Sequence, residues 1–268
     1  MSMRLWHQSY GDLSQLPGYA AMLREHARSV CAPDTVVDVH GVEMGSLSPG
    51  VYHKHSGQGD HLRVTQIIEN ALRAEREGYD AVAVSCFLDP GLEDARGTLG
   101  IPIVSSLETA LEVASKFGHA FGLITHAKWM NARLRPLIRQ YNYEDRVVAL
   151  EAIDFSMGLQ ELDTAFAGSQ EFIDEFTRQA SRLIRSGVDV IIPAEGVLNT
   201  VLVRNAVREI EGIPVLDAYG ALLSYAEILV QIHRRSGLAV ERPRVSDPYS
   251  DQLRRATAAL LLGSNGPA

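Results

Sequence analysis

The chain of 268 residues carries a net charge of −8, and 46% of its residues are hydrophobic. This length suits one large domain or two smaller ones. Because the basic residues form no stripe along the sequence, nucleic acid is excluded as a partner. No apolar run approaches the roughly 20 residues needed to cross a membrane. The first seven residues lack a basic segment followed by an apolar one, so we expect a cytoplasmic protein with no membrane partner.

Short apolar segments alternate with segments of helical periodicity along the whole chain, which is typical of parallel α/β proteins. The predicted strands are Arg4–His7, Thr35–His40, Ala81–Ser85, Ile101–Val104, Ala120–Thr125, Val147–Ala152, Val188–Pro193 and Pro214–Leu216. The predicted helices are Leu16–Ser29, Asp60–Glu77, Ser106–Phe117, Asn131–Gln140, Gln170–Ser186, Val197–Glu209 and Ala218–Arg235.

The strand–helix pattern starts again near Gly118, after four strands. We therefore predict an α/β fold of two pseudo-symmetric parallel-sheet lobes, each Rossmann-like, with the active site in the cleft between them. Residues 1–117 form the first lobe, which a helix near 218–235 completes. Residues 118–215 form the second lobe, and residues 236–268 form a C-terminal extension.

An internal repeat points to the functional residues. Residues 78–86 read Gly-Tyr-Asp-Ala-Val-Ala-Val-Ser-Cys, and residues 187–195 read Gly-Val-Asp-Val-Ile-Ile-Pro-Ala-Glu. Each copy is followed by a second matching segment, Gly-Ile-Pro-Ile-Val at 100–104 and Gly-Ile-Pro-Val-Leu at 212–216. The repeat therefore predicts that Cys86 and Glu195 face each other across the cleft as catalytic groups. Two such groups suit the transfer of a proton from one face of a carbon to the other.

Ligands of open parallel sheets bind at the carboxyl ends of the strands. Residues next to the ends of the predicted strands are therefore candidates for binding the substrate: His7, Gln8, Ser9, Ser85, Phe87, Thr125, His126, Gly196 and Val197. His7 and His126 each close a strand, so they form a possible second pseudo-symmetric pair. A surface or hydrogen-bonded loop position is the alternative for each histidine.

The segment after the first repeat resembles a known family. Cys-Phe-Leu-Asp-Pro-Gly-Leu at 86–92, placed after Gly-Tyr-Asp-Ala, resembles the first catalytic segment of the hydantoin and allantoin racemases, in the aspartate/glutamate/hydantoin racemase superfamily. In those enzymes a second cysteine lies six residues after the aspartate of the second strand and precedes a glycine. Here Glu195 holds that position, six residues after Asp189, and Gly196 follows it. Asp217 matches an acidic position of the family.

The resemblance implies a cofactor-independent isomerase that moves a proton at a carbon next to a carbonyl. The substrate would be a small cyclic amide or an amino-acid-like acid, and no partner beyond that small molecule and further copies in a homo-oligomer is implied. Cys86 takes the place of the first catalytic cysteine. The family's Asn-Pro-Asn-Thr-like substrate loop is replaced here by Trp-His-Gln-Ser-Tyr at 6–10, so we expect a different ligand from that of ordinary members.

The unequal pair leaves other reactions open. An unperturbed thiol titrates at about 8.5 and a glutamic acid at about 4.3. Racemisation requires each group to act as base in one direction and as acid in the other, which this unequal pair can do if burial raises the pKa of Glu195 towards neutrality. Otherwise the pair is better suited to a reaction in one direction. A Cys86 nucleophile with Glu195 as base would instead be a hydrolase that opens a ring or an amide. A lyase, decarboxylase or cis–trans isomerase with a single cysteine, and a catalytically inactive protein that binds a small acid, are further alternatives.

No cofactor and no catalytic metal are expected. The histidines His40, His53, His55 and His61 lack the spacing of a zinc site, and no glycine-rich phosphate-binding loop is present. The second cysteine, Cys31, is predicted to be a small buried residue at the end of a helix, with no disulfide to Cys86.

Overall fold

The computed structural model describes residues 2–43, 57–153 and 170–238, together with residue 256. The first half contains β1 (Met3–Ser9), a 3-10 helix (Leu13–Gln15), α1 (Pro17–Val30), β2 (Thr35–His40), α2 (Gly57–Arg76), β3 (Ala81–Ser85), α3 (Leu92–Arg96), β4 (Ile103–Ser105) and α4 (Ser106–Ala114). The second half contains β5 (Phe121–Thr125), α5 (Lys128–Gln140), β6 (Val147–Ala152), α6 (Gln170–Arg185), β7 (Val190–Pro193), α7 (Gly196–Arg204), β8 (Glu209–Ile210), β9 (Ile213–Pro214) and α8 (Ala218–Ser236).

The predicted elements and the observed ones differ mainly at their ends. The helix predicted to reach Glu209 stops at Arg204, because Ala206 has a left-handed φ of 54° and the chain then forms the β8–β9 hairpin. The strand β4 begins two residues later than predicted, since Pro102 has no N–H to donate to a neighbouring strand. The short helix α3 was not predicted from the sequence. His53, His55 and the C-terminal extension beyond Leu238 lie outside the described residues, except for residue 256.

The two halves contain the same parallel sheet. The first has the strand order β2-β1-β3-β4, and the second has the order β6-β5-β7, with a parallel bridge between Ile191 and Val215 where a fourth strand would lie. In the first sheet Val82 pairs with Ile103. The repeat makes Val82 equivalent to Ile191 and Ile103 equivalent to Val215, so the bridge in the second sheet joins the equivalent residues. The predicted α/β class with two pseudo-symmetric parallel-sheet lobes is confirmed.

The glycine and aspartate of each repeat have structural roles. Gly78 and Gly187 have φ values of +76° and +82°, which suit glycine at a helix-to-strand turn. The Asp80 carboxylate accepts the backbone N–H of Arg4 at 2.8 Å, at the start of β1. The Asp189 carboxylate likewise accepts the N–H groups of His119 and Ala120 at 2.7 and 3.0 Å, just before β5. Asp80 therefore fixes the start of β3 against β1, and Asp189 fixes the start of β7 against β5.

The last helix of each half covers the sheet of the other half. Leu107 and Leu111 of α4 pack in one buried cluster with Phe121 of the second sheet. Leu222 of α8 packs with Ala83 of the first sheet in the cluster that also contains α1 and α7. This exchange of helices holds the carboxyl ends of β3 and β7 next to each other. No helix of the described residues is long and apolar enough to span a membrane.

Candidate active site

Cys86 and Glu195 emerge at equivalent places in the two lobes. Cys86 directly follows β3, and Glu195 lies two residues beyond β7. Each residue lies at the same distance along the chain from the first residue of its strand, Ala81 in β3 and Val190 in β7, and these two first residues hold equivalent places in the pairing of the two sheets. Both side chains are half-buried. The charge of Glu195 is one of the causes that shift the pKa of Cys86, so the two groups lie within electrostatic reach of each other.

The Cys86 thiol is held in its neutral form. Burial raises its pKa to about 12, and the carboxylates of Asp89 and Glu195 act in the same direction. A hydrogen bond from the backbone N–H of Leu88 and the charge of Arg133 oppose this rise without cancelling it. Burial and nearby negative charge thus both disfavour the thiolate of Cys86 near neutral pH.

Glu195 caps a helix, and this contact favours its ionised form. The residue is the N-cap of α7, and its Oε2 accepts the backbone N–H of Leu198 at 2.9 Å. The amino end of a helix carries partial positive charge, which stabilises a carboxylate. The pair at the seam therefore consists of a carboxyl group that caps a helix and a thiol.

Asp89 of the Cys-Phe-Leu-Asp-Pro-Gly-Leu segment anchors the loop that carries Cys86. Its carboxylate accepts the backbone N–H groups of Leu107 and Glu108 at 2.9 and 3.0 Å, at the start of α4. The Tyr141 hydroxyl of the second lobe donates to the same carboxylate at 2.9 Å. Burial raises the pKa of Asp89, and these hydrogen bonds oppose the rise. The loop is thereby attached to both lobes.

Tyr19 was not identified from the sequence, although it lies beside both candidate catalytic groups. It projects from α1 and is 5% exposed. A methyl group on Gly196 would lie 2.4 Å from its hydroxyl oxygen and 3.9 Å from the Ser85 hydroxyl. Burial raises the pKa of Tyr19, the charges of Glu195 and Cys86 add to the rise, and hydrogen bonding with the side chains of Ser85 and Thr200 opposes it. The phenol therefore occupies the seam between the ends of β3 and β7.

The predicted substrate-binding residues separate into two groups. Ser85 and Gly196 lie at this seam with Tyr19, as described above. Gln8 does not: its amide oxygen accepts from Trp6 at 3.1 Å and Asn70 at 2.9 Å, and its amide nitrogen donates to the Ser9 carbonyl at 2.9 Å. The binding role predicted for Gln8 is therefore corrected to a role inside the first lobe, because alternate side chains of a strand point to opposite faces.

Apolar candidates for substrate binding are core residues. Phe87 is 3% exposed and belongs to the buried cluster of the second sheet. Val197 is 7% exposed and packs in the cluster of the first sheet. Phe87 lies one residue beyond Cys86, and Val197 lies two residues beyond Glu195. Each anchors the segment that carries its neighbouring candidate catalytic residue in the core. We correct their predicted role accordingly.

His7 lies inside β1 rather than at its end, because the strand continues to Ser9. When the two sheets are aligned by their registers, Ser9 is equivalent to Thr125 and His7 is equivalent to Leu123. His7 and His126 are therefore not a pseudo-symmetric pair. Both ring nitrogens of His7 are buried and find no hydrogen-bond partner among the described residues, and the ring packs edge-on against Tyr219. Burial lowers the pKa of His7 to about 3, with the charges of His40 and Arg24 adding to the effect. His7 is a neutral core histidine.

Polar side chains at the end of β5 make their contacts with residues of the second lobe. The Thr125 hydroxyl donates to the Asn131 side chain at 2.6 Å, with the Ala127 carbonyl at 3.1 Å. His126 is half-buried and lies edge-on to Trp129, with ring centroids 5.5 Å apart. The structure thus places Thr125 among hydrogen-bond partners of its own lobe.

Charged residues join the lobes near Cys86. Arg133 of α5 pairs with Asp60 of α2 at 2.8 Å, and the Tyr10 hydroxyl donates to the same carboxylate at 2.5 Å.

Asp217, the acidic position noted in the sequence, is the N-cap of α8 and pairs with His26 at 2.7 Å. Burial acts to raise the pKa of Asp217, but its contacts with His26, Gly220 and Asn199 lower it overall.

Among the described residues, no group of three or more His, Cys, Asp or Glu side chains could hold a metal ion. The side chains that meet at the seam offer a carboxyl group, a thiol and hydroxyls. Such a set transfers protons, and it suits reaction at a carbon that has a carbonyl neighbour.

Comparison with known proteins identifies the family of the chain. The family described as Asp/Glu/Hydantoin racemase matches residues 18–226. The chain belongs to the Asp/Glu/hydantoin racemase family. A hydantoin racemase from Pseudomonas sp. (strain NS671) is 24% identical over 215 residues, which are 79% of this chain and 81% of that relative. A hydantoin racemase from Paenarthrobacter aurescens is 26% identical over 210 residues, covering 77% of this chain and 83% of the relative.

The fold of this racemase family is also found in an allantoin racemase from Klebsiella pneumoniae. The two structures superpose with a TM-score of 0.72 at 23% sequence identity, covering 93% of this chain and 98% of the other. Its membership of the family and its similarity to the hydantoin racemases make the protein a racemase-like isomerase.

Gly196→Ala is expected to destabilise the protein by about 1–3 kcal/mol, because the new methyl overlaps the hydroxyl of a rigid, buried tyrosine. The ring carbon Cζ of Tyr19 would lie at 3.6 Å from that methyl, an ordinary contact. The double variant Gly196→Ala/Tyr19→Phe should therefore be at least as stable as Tyr19→Phe alone, since alanine is the better helix former. Urea unfolding of the four proteins measures this, and a Gly196→Ala variant as stable as wild type contradicts the packing.

Iodoacetamide should alkylate Cys86 slowly near neutral pH. In a Cys31→Ala background the rate constant is expected to rise about tenfold per pH unit from pH 7 towards the pKa of about 12, because only the thiolate reacts. Glu195→Gln should accelerate alkylation at pH 8 by removing a negative charge, whereas Glu144→Gln, on an exposed residue paired with Arg139, should not. A plateau below pH 10, or equal rates in the two variants, would refute the described environment of Cys86.

Proposed function

We propose that this protein is a cofactor-independent racemase in which Glu195 and Cys86 exchange protons with opposite faces of one carbon. The carbon lies next to a carbonyl of a small cyclic amide of the hydantoin type. The observation that carries the proposal is the equivalence of the two residues, which end the same strand in two copies of one sheet and act on each other electrostatically. The named relatives, which are hydantoin racemases, support the reaction type.

The resting protonation states define the first half of the reaction. The Glu195 carboxylate accepts the proton from carbon, the electrons of the C–H bond enter the bond to the carbonyl carbon, and the carbonyl oxygen gains the negative charge of an enolate. The Cys86 thiol then gives its proton to the opposite face of the same carbon. A thiolate and a carboxylic acid remain, and they convert the opposite enantiomer by the reverse steps.

The charges near Cys86 favour a neutral substrate. Glu195 and Asp89 are acidic, and the positive charge of Arg133 is paired with Asp60. A carboxylate on the substrate would be repelled in this environment, whereas the carbonyl of a cyclic amide is neutral. The raised pKa of Cys86 suits a thiol that gives its proton to carbon, whereas a nucleophilic thiol in the hydrolase alternative would first have to lose its proton to Glu195.

Removal of either group should stop racemisation and leave half of the reaction. Cys86→Ala is expected to lower turnover by at least about 10²-fold, since proton donation contributes factors of this size. The variant should still exchange the α-hydrogen of one enantiomer with deuterated water, without inversion, because Glu195 remains as base. Glu195→Gln should lose that exchange. Chiral chromatography and NMR of 5-substituted hydantoins measure both quantities.

Cys31→Ala is the matched control for Cys86→Ala, because Cys31 ends α1 and its raised pKa results from burial and the charge of Glu227. Turnover of Cys31→Ala should equal that of the wild type. Glu195→Cys, which restores the two-cysteine pattern, should retain racemase activity. Formation of a ring-opened product without any opposite enantiomer would show that the protein is a hydrolase and would overturn the proposed function.

A further inference from the structure

An enolate formed at this site requires a hydrogen-bond donor for its oxygen. The negative charge moves from Glu195 to the carbonyl oxygen in this step, and the nearby carboxylate of Asp89 opposes its development there. A preorganised donor that lies where this charge develops lowers the barrier for its formation. The donor must be neutral and must lie between the proton-transfer groups, because the carbonyl is attached to the carbon that they share.

The hydroxyl of Tyr19 meets these requirements. It lies against Gly196 so closely that a methyl on that residue would be 2.4 Å from the phenol oxygen, and the Ser85 hydroxyl borders the same space. Ser85 and Gly196 are the immediate neighbours of Cys86 and Glu195 in sequence. The charges of both candidate catalytic residues act on the Tyr19 phenol.

The phenol is fixed in place by packing. Tyr19 belongs to the buried cluster that joins α1, α7 and α8, and it is 5% exposed. A donor fixed in this way loses little entropy when the reaction proceeds. Burial keeps the pKa of the phenol above its ordinary value, so the hydroxyl retains the proton that it needs in order to donate.

We propose that Tyr19 is a catalytic residue whose hydroxyl donates a hydrogen bond to the substrate carbonyl oxygen as that oxygen becomes an enolate. This inference rests on the proposed racemase function. Tyr19 keeps its proton throughout, while Glu195 and Cys86 exchange protons with the carbon. The absence of a bulky side chain at Gly196 is part of the same arrangement, because any Cβ there displaces the phenol.

Tyr19→Phe keeps the ring and removes only the donor. It should lower kcat by about 10²–10³-fold, the usual effect of losing one donor to a developing oxyanion, and change KM by less than about fivefold. Replacing Tyr19 with fluorotyrosines of increasing acidity should raise kcat progressively above that of Tyr19→Phe, whereas a purely structural tyrosine would show no such trend. Tyr225→Phe is the control, because the Tyr225 hydroxyl bonds to the Glu112 side chain in the α4–α8 contact and its loss should leave kcat unchanged.

Gly196→Ala supplies an independent variant. It should lose kcat to a similar extent, and in the Tyr19→Phe background it should cause little further loss, because both changes remove the same hydrogen bond. If wild type racemises hydantoins and Cys86→Ala does not, but Tyr19→Phe retains more than about a third of kcat, the inference about Tyr19 is overturned and the proposed function stands. If wild type neither racemises hydantoins nor exchanges their α-hydrogen, both are overturned.

Discussion

The exchange of helices between the halves is the constraint on which the site depends. Each sheet buries one face under the last helix of the other half, so neither sheet can complete its core alone. Burial of this apolar surface is the main favourable contribution to folding, and it fixes the carboxyl ends of β3 and β7 relative to each other. Two side chains from distant parts of the sequence are thereby held at one seam. The loop anchored by Asp89 adds a polar link, since its carboxylate binds both α4 and Tyr141.

The difference between a thiol and a carboxylate gives the reaction a preferred starting form. Burial raises the pKa of Cys86, so the thiol keeps its proton, and the amino end of α7 binds the side chain of Glu195. In the proposed racemisation one enantiomer binds to this form directly. One turnover would leave a thiolate at Cys86, a form of higher free energy. Because racemisation has an equilibrium constant of unity, the two values of kcat/KM must be equal, but the individual values of kcat need not be.

The sequence predicted the features that depend on local pattern. The repeated glycine, aspartate and apolar run identified β3 and β7, and the equal offsets placed Cys86 and Glu195 at their ends. These predictions succeeded because strand periodicity and turn residues are local properties, and because duplication shows the same signal twice.

Features that depend on tertiary contacts were missed. Tyr19 lies in an ordinary helical segment, and only the approach of Gly196 from the other half of the chain gives it a role. The direction of the Cys86 pKa shift depends on burial and on Asp89 and Glu195 together, which the order of residues does not show. His7 was misassigned because the strand continues two residues further than predicted, which moves the histidine from the strand end into the core.

A single isotope measurement tests the central claim that two different groups act on opposite faces of one carbon. One pure enantiomer of a 5-substituted hydantoin is converted in deuterated water, and deuterium is measured early in the reaction in both product and recovered substrate. The account predicts product that carries deuterium at the reacting carbon and recovered substrate that carries almost none, because the proton is removed by Glu195 and the deuteron is delivered by Cys86. Deuterium that appears in recovered substrate as fast as in product would show a single group acting on both faces and would contradict the account.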